Sequence, residues 1–257
     1  MPSLSMRKIA LQLYTVRETA QKDFIATLKE IAAIGYDGIE LAGYIGDMTA
    51  REVYTITRDL GLTVVSGHIN LDTLSSPKRL EPVIADYMTM GARYLGLAWL
   101  PVEQRTAAGY QRLGQTLERA AILCSKHDLT IFHHNHDFEF QTFGNRTGLE
   151  IVLENTDPFL VKAEFDVYWA QFAGLNPVDW IKKLDGRLPL LHVKDMSKDE
   201  SRTFEIVGEG VIDFAPIFKA GDASGVEWYI VEQDKCPKGE LESARLSFDH
   251  IVERSWR

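Results

Sequence analysis

The feature that most constrains this chain is a beat of eight short β-rich runs, each followed by a helical pattern. The runs are KIALQLYT (8–15), GYDGIELAG (35–43), LTVVSGHIN (62–70), ARYLGLAWL (92–100), LTIFHHN (129–135), LVKAEFDVYW (160–169), LPLLHVKD (188–195) and EWYIVEQD (227–234). Most are continuous apolar stretches rather than clean alternations, as parallel strands covered on both faces require. Spread over 257 residues, the units average about 32 residues, the size of one βα unit.

The intervening segments carry helical spacing. Phe24, Leu28 and Ile31 share a stripe that Gly35 is placed to end. Val53, Ile56 and Leu60 form another, with Thr49 as N-cap and Gly61 after the end. No Pro/Gly/Ser-rich linker or low-complexity segment divides the chain, so one domain over 1–257 is expected. A doubly wound open sheet needs a Gly-rich first turn; QLYTVRE has no glycine. The expected fold is therefore a single (β/α)8 barrel, an architecture of ~250 residues.

Charge narrows the function classes. Lys plus Arg number 28 against 37 Asp plus Glu, a formal net charge of -9, which disfavours nucleic acid and anionic membrane surfaces as partners. No stretch approaches the ~18 apolar residues of a membrane span, and the start lacks a secretory apolar region. With only Cys124 and Cys236, a disulfide framework is not expected and a reducing, cytoplasmic setting fits. Cys124 reads as a small core residue of a helix.

In such a barrel the chemistry lies at the C-terminal strand ends. In order these carry Gln12, Glu40, His68, Trp99, His134 with His136, Asp166, His192 and Glu232. A single buried histidine is usually a hydrogen-bonded core residue; ligand-type groups at successive strand ends point to one shared mouth. Carboxylates brought together there repel unless a cation or a shared proton intervenes. Mixed imidazole and carboxylate donors suit Mn²⁺, Fe²⁺, Co²⁺ or Zn²⁺ better than Ca²⁺ or Mg²⁺. Glu40 and His68 are placed to contact a substrate or to support ligands from behind. Lys194, two residues beyond His192, returns to the same strand face and can anchor a substrate oxygen or pair with a carboxylate.

The ordered set HNHDFEF, FDVYWA, LLHVKD, VGEGVIDF and YIVEQD resembles the sugar phosphate isomerase/epimerase family with the xylose isomerase-like barrel. The likeness runs from ALQLYTVRE to YIVEQD, nearly the whole chain. It implies a divalent metal held by Glu, Asp, His and Glu from strands five to eight. Asp166, His192 and Glu232 carry over; at the first position this chain has His134, with His136 and then His133 as alternatives. The resemblance further implies an acid/base glutamate shortly after the strand-five ligand, which Glu139 matches, with Asp137 as alternative and Glu232 as both ligand and base. Trp169 stands where epimerase relatives carry a substrate-binding histidine.

The expected activity is isomerisation or epimerisation of a ketosugar through an enediolate, using Mn, Co or Zn. The alternative is a lyase or dehydratase acting on a keto-sugar, keto-glycoside or keto-cyclitol. A barrel that binds sugar without turnover is a third reading. Tyr14, Trp99, Tyr168 and Trp169 are expected to stack on a sugar ring, with His136 among the substrate contacts. Gly208 and Gly210 either bring amides to a ligand or only form a turn, with Asp213 capping the next helix. No Arg/Lys cluster suited to phosphate is evident, so an unphosphorylated sugar is favoured. A homo-oligomer is possible on this reading.

Overall fold

The structure is a computed structural model and describes residues 6–257. Eight parallel strands close a barrel: β1 (Lys8–Gln12), β2 (Gly38–Leu41), β3 (Thr63–Ile69), β4 (Tyr94–Leu97), β5 (Thr130–His134), β6 (Val161–Asp166), β7 (Leu190–Val193) and β8 (Trp228–Val231). Each pairs with the next, and β8 closes on β1 through Lys8↔Trp228 to Leu11↔Val231. The main helices packed outside are α1 (Phe24–Ile34), α2 (Ala50–Asp59), α3 (Pro77–Met90), α4 (Ala107–Cys124), α5 (Gly148–Glu154), α6 (Pro177–Lys183), α7 (Phe214–Ala223) and α8 (Glu240–Glu253).

The helix punctuation follows from side chains identifiable in the sequence. Thr49 caps α2 in a reciprocal box with Glu52, and Gly35 ends α1 at φ +114°. Cys124 is buried in α4, and both cysteines are free. Among the described residues no helix is long and apolar enough to cross a membrane.

Two apolar layers make the core. The larger lies between strands and helices; the smaller fills the barrel with Ala10, Val65, Tyr94, Phe132, Leu190, Trp228 and Ile230. Phe132 lies against Gly96 of β4, where an added Cβ would come within 2.3 Å of its ring. The glycine thus leaves the space that the phenylalanine fills.

Several strands are shorter than the apolar runs that mark them. Tyr168 and Trp169 belong to a helix, Val167–Phe172, because the Asp166 carboxylate accepts hydrogen bonds from their amides (2.8 and 3.2 Å). Likewise the Gln12 side chain accepts from the Tyr14 amide (3.1 Å) and starts a short 3₁₀ turn, Leu13–Val16. A capping side chain ends an extended run that apolar periodicity alone would continue.

Candidate active site

Above the apolar plug the barrel interior turns polar without becoming exposed. Glu40 on β2, Glu164 on β6 and His192 on β7 are all fully buried, and His68 on β3 nearly so. Glu40 is held at both oxygens, by Gln12 Nε2 at 2.6 Å and by Ser66 Oγ at 2.5 Å. Glu164 Oε2 lies 2.7 Å from His68 Nε2, 3.1 Å from His134 Nδ1 and 3.3 Å from His192 Nε2. Burial opposes ionisation of Glu164, but the His192 and His68 imidazoles override it and hold the carboxyl below the usual range. The same pairing works in reverse: burial opposes the His192 proton, but Glu164 and Glu40 raise its affinity well above the ordinary value.

The next layer is formed by Asp166, His192 and Glu232, which offer one donor atom each within 4.8 Å of one another. His192 Nδ1 is 3.1 Å from Glu232 Oε2 and 3.9 Å from Asp166 Oδ2, and His134 Nε2 is also 3.9 Å from Asp166 Oδ2. Asp166 spends Oδ1 on the helix cap, while Oδ2 is buried without a hydrogen-bond partner. Asn135 clamps this strand end in both directions, donating to the Asp166 carbonyl (3.3 Å) and accepting from its amide (3.1 Å).

Lys194 is buried among three carboxylates, with Nζ at 2.6 Å from Asp234, 3.0 Å from Glu232 and 3.7 Å from Asp166. Burial opposes its charge, but Glu232, Asp166 and Asp234 raise its proton affinity. With Asp166 ionised, three carboxylates against one ammonium leave two negative charges, which a divalent cation would offset once it has displaced the proton from His192. Burial also pushes Asp166 up to about 7, so without a cation the site tends to hold a proton. The unpartnered Oδ2, the imidazole–carboxylate donors and this charge balance all fit a divalent ion.

The cluster opens into a cavity of about 510 Å³. His68, His134, Lys194, Glu232 and Asp234 line its inner part; Tyr14, Trp99, Arg105, His136, Phe138 and Trp169 line much of the rest. His136 stacks on Phe138 (5.2 Å between centroids, 5° between planes) and lies edge-on to Trp99. Burial and Lys194 push its proton affinity well down, so the ring is neutral. Trp99 is 56% exposed, an open aromatic surface at the mouth.

The structure thus brings His134, Asp166, His192, Glu232 and Lys194 together, puts Glu40 and His68 beneath them, and places His136, Trp99 and Trp169 around the cavity. Glu139 is different. It is fully buried, with Oε1 3.5 Å from His133 Nε2 and Oε2 accepting the His136 amide at 2.8 Å. Neither it nor His133 lines the cavity, because alternation along β5 turns His133 outward where His134 turns in. Glu139, expected as the base, thus sits behind the cavity wall and holds the loop after β5 through the His136 amide. Tyr168 is also withdrawn: it is buried, and its hydroxyl donates to the Arg202 carbonyl. The amides of Gly208 and Gly210 donate to Asp195 at 2.9 and 3.0 Å, so that loop closes on a buried aspartate, and Asp213 caps α7.

Three residues at the site escaped sequence reasoning. Glu164 and Asp234 lie two residues from Asp166 and Glu232, a period-two signal that was available. Arg105 comes from the loop after β4 and reaches the cavity with its guanidinium 3.4 Å from the Phe138 ring centroid; nothing in the sequence announces it.

Residues 28–251 match the family model of the xylose isomerase-like TIM barrel. An inosose dehydratase from Geobacillus kaustophilus is 25% identical over 249 residues, covering 82% of this chain and 80% of that protein. A sugar phosphate isomerase/epimerase from Parabacteroides distasonis superposes with a TM-score of 0.83 at 25% identity, covering 97% of this chain and 99% of that one. An L-ribulose 3-epimerase shares the fold, with a TM-score of 0.76 at 19% identity over 98% and 96% of the two chains.

Proposed function

Because the chain belongs to the xylose isomerase-like TIM barrels, we propose that it isomerises or epimerises a ketosugar or sugar derivative by removing a proton next to the carbonyl. The observation that carries this reading is the meeting of a cation-deficient cluster with a carboxylate and an ammonium on one cavity wall, Glu232 and Lys194 at 3.0 Å. His134, Asp166, His192 and Glu232 are the residues that would hold a divalent ion. When bound, such an ion supplies a Lewis acid for neighbouring substrate oxygens.

Glu232 serves as the base on the substrate carbon. Lys194 and His192 outweigh the effect of burial and keep its carboxyl well below the usual range, so it is ionised at neutral pH. Lys194, drawn between Glu232 and Asp234, is placed to donate a hydrogen bond to a developing oxyanion. Asp137, which lines the cavity, is the carboxylate available after β5 for the second proton transfer of an epimerisation. Trp99, Trp169 and His136 orient the ring and exclude water from the reacting carbon.

The likeness to inosose dehydratase favours a second reading, in which the same proton loss is followed by departure of a β-hydroxyl. Both readings begin with exchange of the carbon-bound proton. The test is a panel of ketoses and keto-cyclitols in deuterated buffer with added Mn²⁺ or Co²⁺. Deuterium in an isomerised or epimerised sugar supports the first reading, an ultraviolet-absorbing enone the second. Exchange with none of these classes would overturn both.

A further inference from the structure

We propose that Glu164 and Glu40 are positioning residues that determine which ring nitrogen His134 and His192 turn towards the candidate ion, an inference that rests on the metal-site reading above. Neither carboxylate lines the cavity, and both are fully buried, so neither touches substrate. They come from β2 and β6, on opposite walls of the eight-stranded ring, and converge on the two histidines from below.

An imidazole serves as a ligand through the nitrogen that carries no proton, and the hydrogen bond at the other nitrogen decides which one that is. At His134 the arrangement is plain. Nδ1 faces Glu164 at 3.1 Å, a carboxylate that can only accept, so the proton belongs on Nδ1. That leaves the Nε2 lone pair on the side of Asp166 Oδ2. His192 is turned the other way round. Its Nε2 faces Glu40 at 2.8 Å, and its Nδ1 points to Glu232 and Asp166. The two rings therefore offer opposite nitrogens to one place because carboxylates behind them sit at opposite ring positions.

The supporting pair is itself held firmly. Gln12 and Ser66 fix Glu40, while His68 Nε2 spans both carboxylates, 2.7 Å from Glu164 and 3.3 Å from Glu40. Only Glu164 Oε2 takes part in these contacts; Oε1 is buried without a hydrogen-bond partner. Its placement thus suits the three imidazoles rather than its own full satisfaction.

Glu164→Gln keeps the shape, but its amide can accept from Nδ1–H or donate to a bare Nδ1, and no longer selects one. Nitrogen-15 spectra of the metal-free protein should show neutral His134 as the Nδ1–H tautomer in the parent chain and as a mixture in Glu164→Gln. Co²⁺ or Zn²⁺ titration should show affinity weakened by about 10–100-fold, largely restored in Glu164→Asp. An unchanged tautomer with unchanged affinity would overturn the inference. The tautomer is read without metal, so a parent chain that binds no ion would overturn the metal-site reading while still deciding this one. If Glu164→Gln does not fold, the same two measurements on Glu164→Ala decide: a mixed tautomer with weakened affinity supports positioning, and no change in either refutes it.

Discussion

The lower and upper halves of the barrel interior are equally dry and chemically opposite. Below, Phe132, Trp228, Leu190 and Ile230 are buried to 7% exposure or less; above, Glu40, Glu164, Asp166 and His192 are fully buried. The lower half gains free energy from burial, on the order of 1.5–3 kcal/mol for a large apolar side chain. The upper half pays desolvation for every charge and recovers it only through partners. Burial alone therefore does not mark a residue as structural. What separates the halves is whether a side chain's neighbours satisfy it, and Asp166 Oδ2 and Glu164 Oε1 are atoms that they leave over.

A pair of substitutions breaks this comparison most sharply. Phe132→Ala should cost about 3–5 kcal/mol of stability, since it empties the plug that Gly96 makes room for, while the molecules that remain folded keep their ion affinity. Asp166→Asn should do the reverse: at least a ~100-fold loss of ion affinity, the upper end of what even an outer-shell partner costs, with little loss of thermal stability. Denaturant unfolding and metal titration on both variants check the cross. Equal stability losses would mean that the upper half is as structural as the lower.

Acidity sharpens the same contrast. Burial raises the Asp166 carboxyl to about 7, so the metal-free fold holds this proton more tightly than the unfolded chain does. The contribution is stabilising below the ordinary carboxylate range and is lost as pH rises through about 7. A bound ion competes with that proton and with the one on His192, so affinity should rise with pH by about tenfold per unit for each proton displaced. Titrations with Mn²⁺ or Co²⁺ between mildly acidic and neutral pH measure the slope; a flat profile would remove both groups from the ion site.

The smallest effect belongs to Glu139, which shares the burial of the upper half but faces away from the cavity. Glu139→Gln should retain ion binding and alter proton exchange far less than the ~10²-fold that loss of a catalytic acid/base brings. Deuterium exchange on an accepted substrate tests this. A loss of that size would return Glu139 to the chemistry and require the loop after β5 to rearrange on binding.

Much of the site was legible because barrel geometry converts position into location. A polar residue at the C-terminal end of a parallel strand must lie at the mouth, and strand-end position brings Asp166, His192 and Glu232 to one place. The sequence does not separate the inward turn of His134 from the outward turn of His133, since neighbouring histidines on a strand differ only in register and the pleat sends them to opposite faces. Glu164 is hidden inside the run VKAEFD for the same reason: one glutamate among apolar residues reads as part of a strand until its facing partners are known.

By itself the sequence determined the alternation of eight strands and helices, the caps at Thr49 and Gly35, and the row of ligand-type residues, because each depends on local backbone preference or on strand-end position. Only the tertiary structure decided which side chains share a solvent-free space. Closure of the barrel puts Glu40 of β2 and Glu164 of β6 around the same imidazoles, and leaves Glu139 beside His133. Contacts across the ring join residues up to 152 positions apart, and their energies depend on distance and desolvation, neither of which is written along the chain.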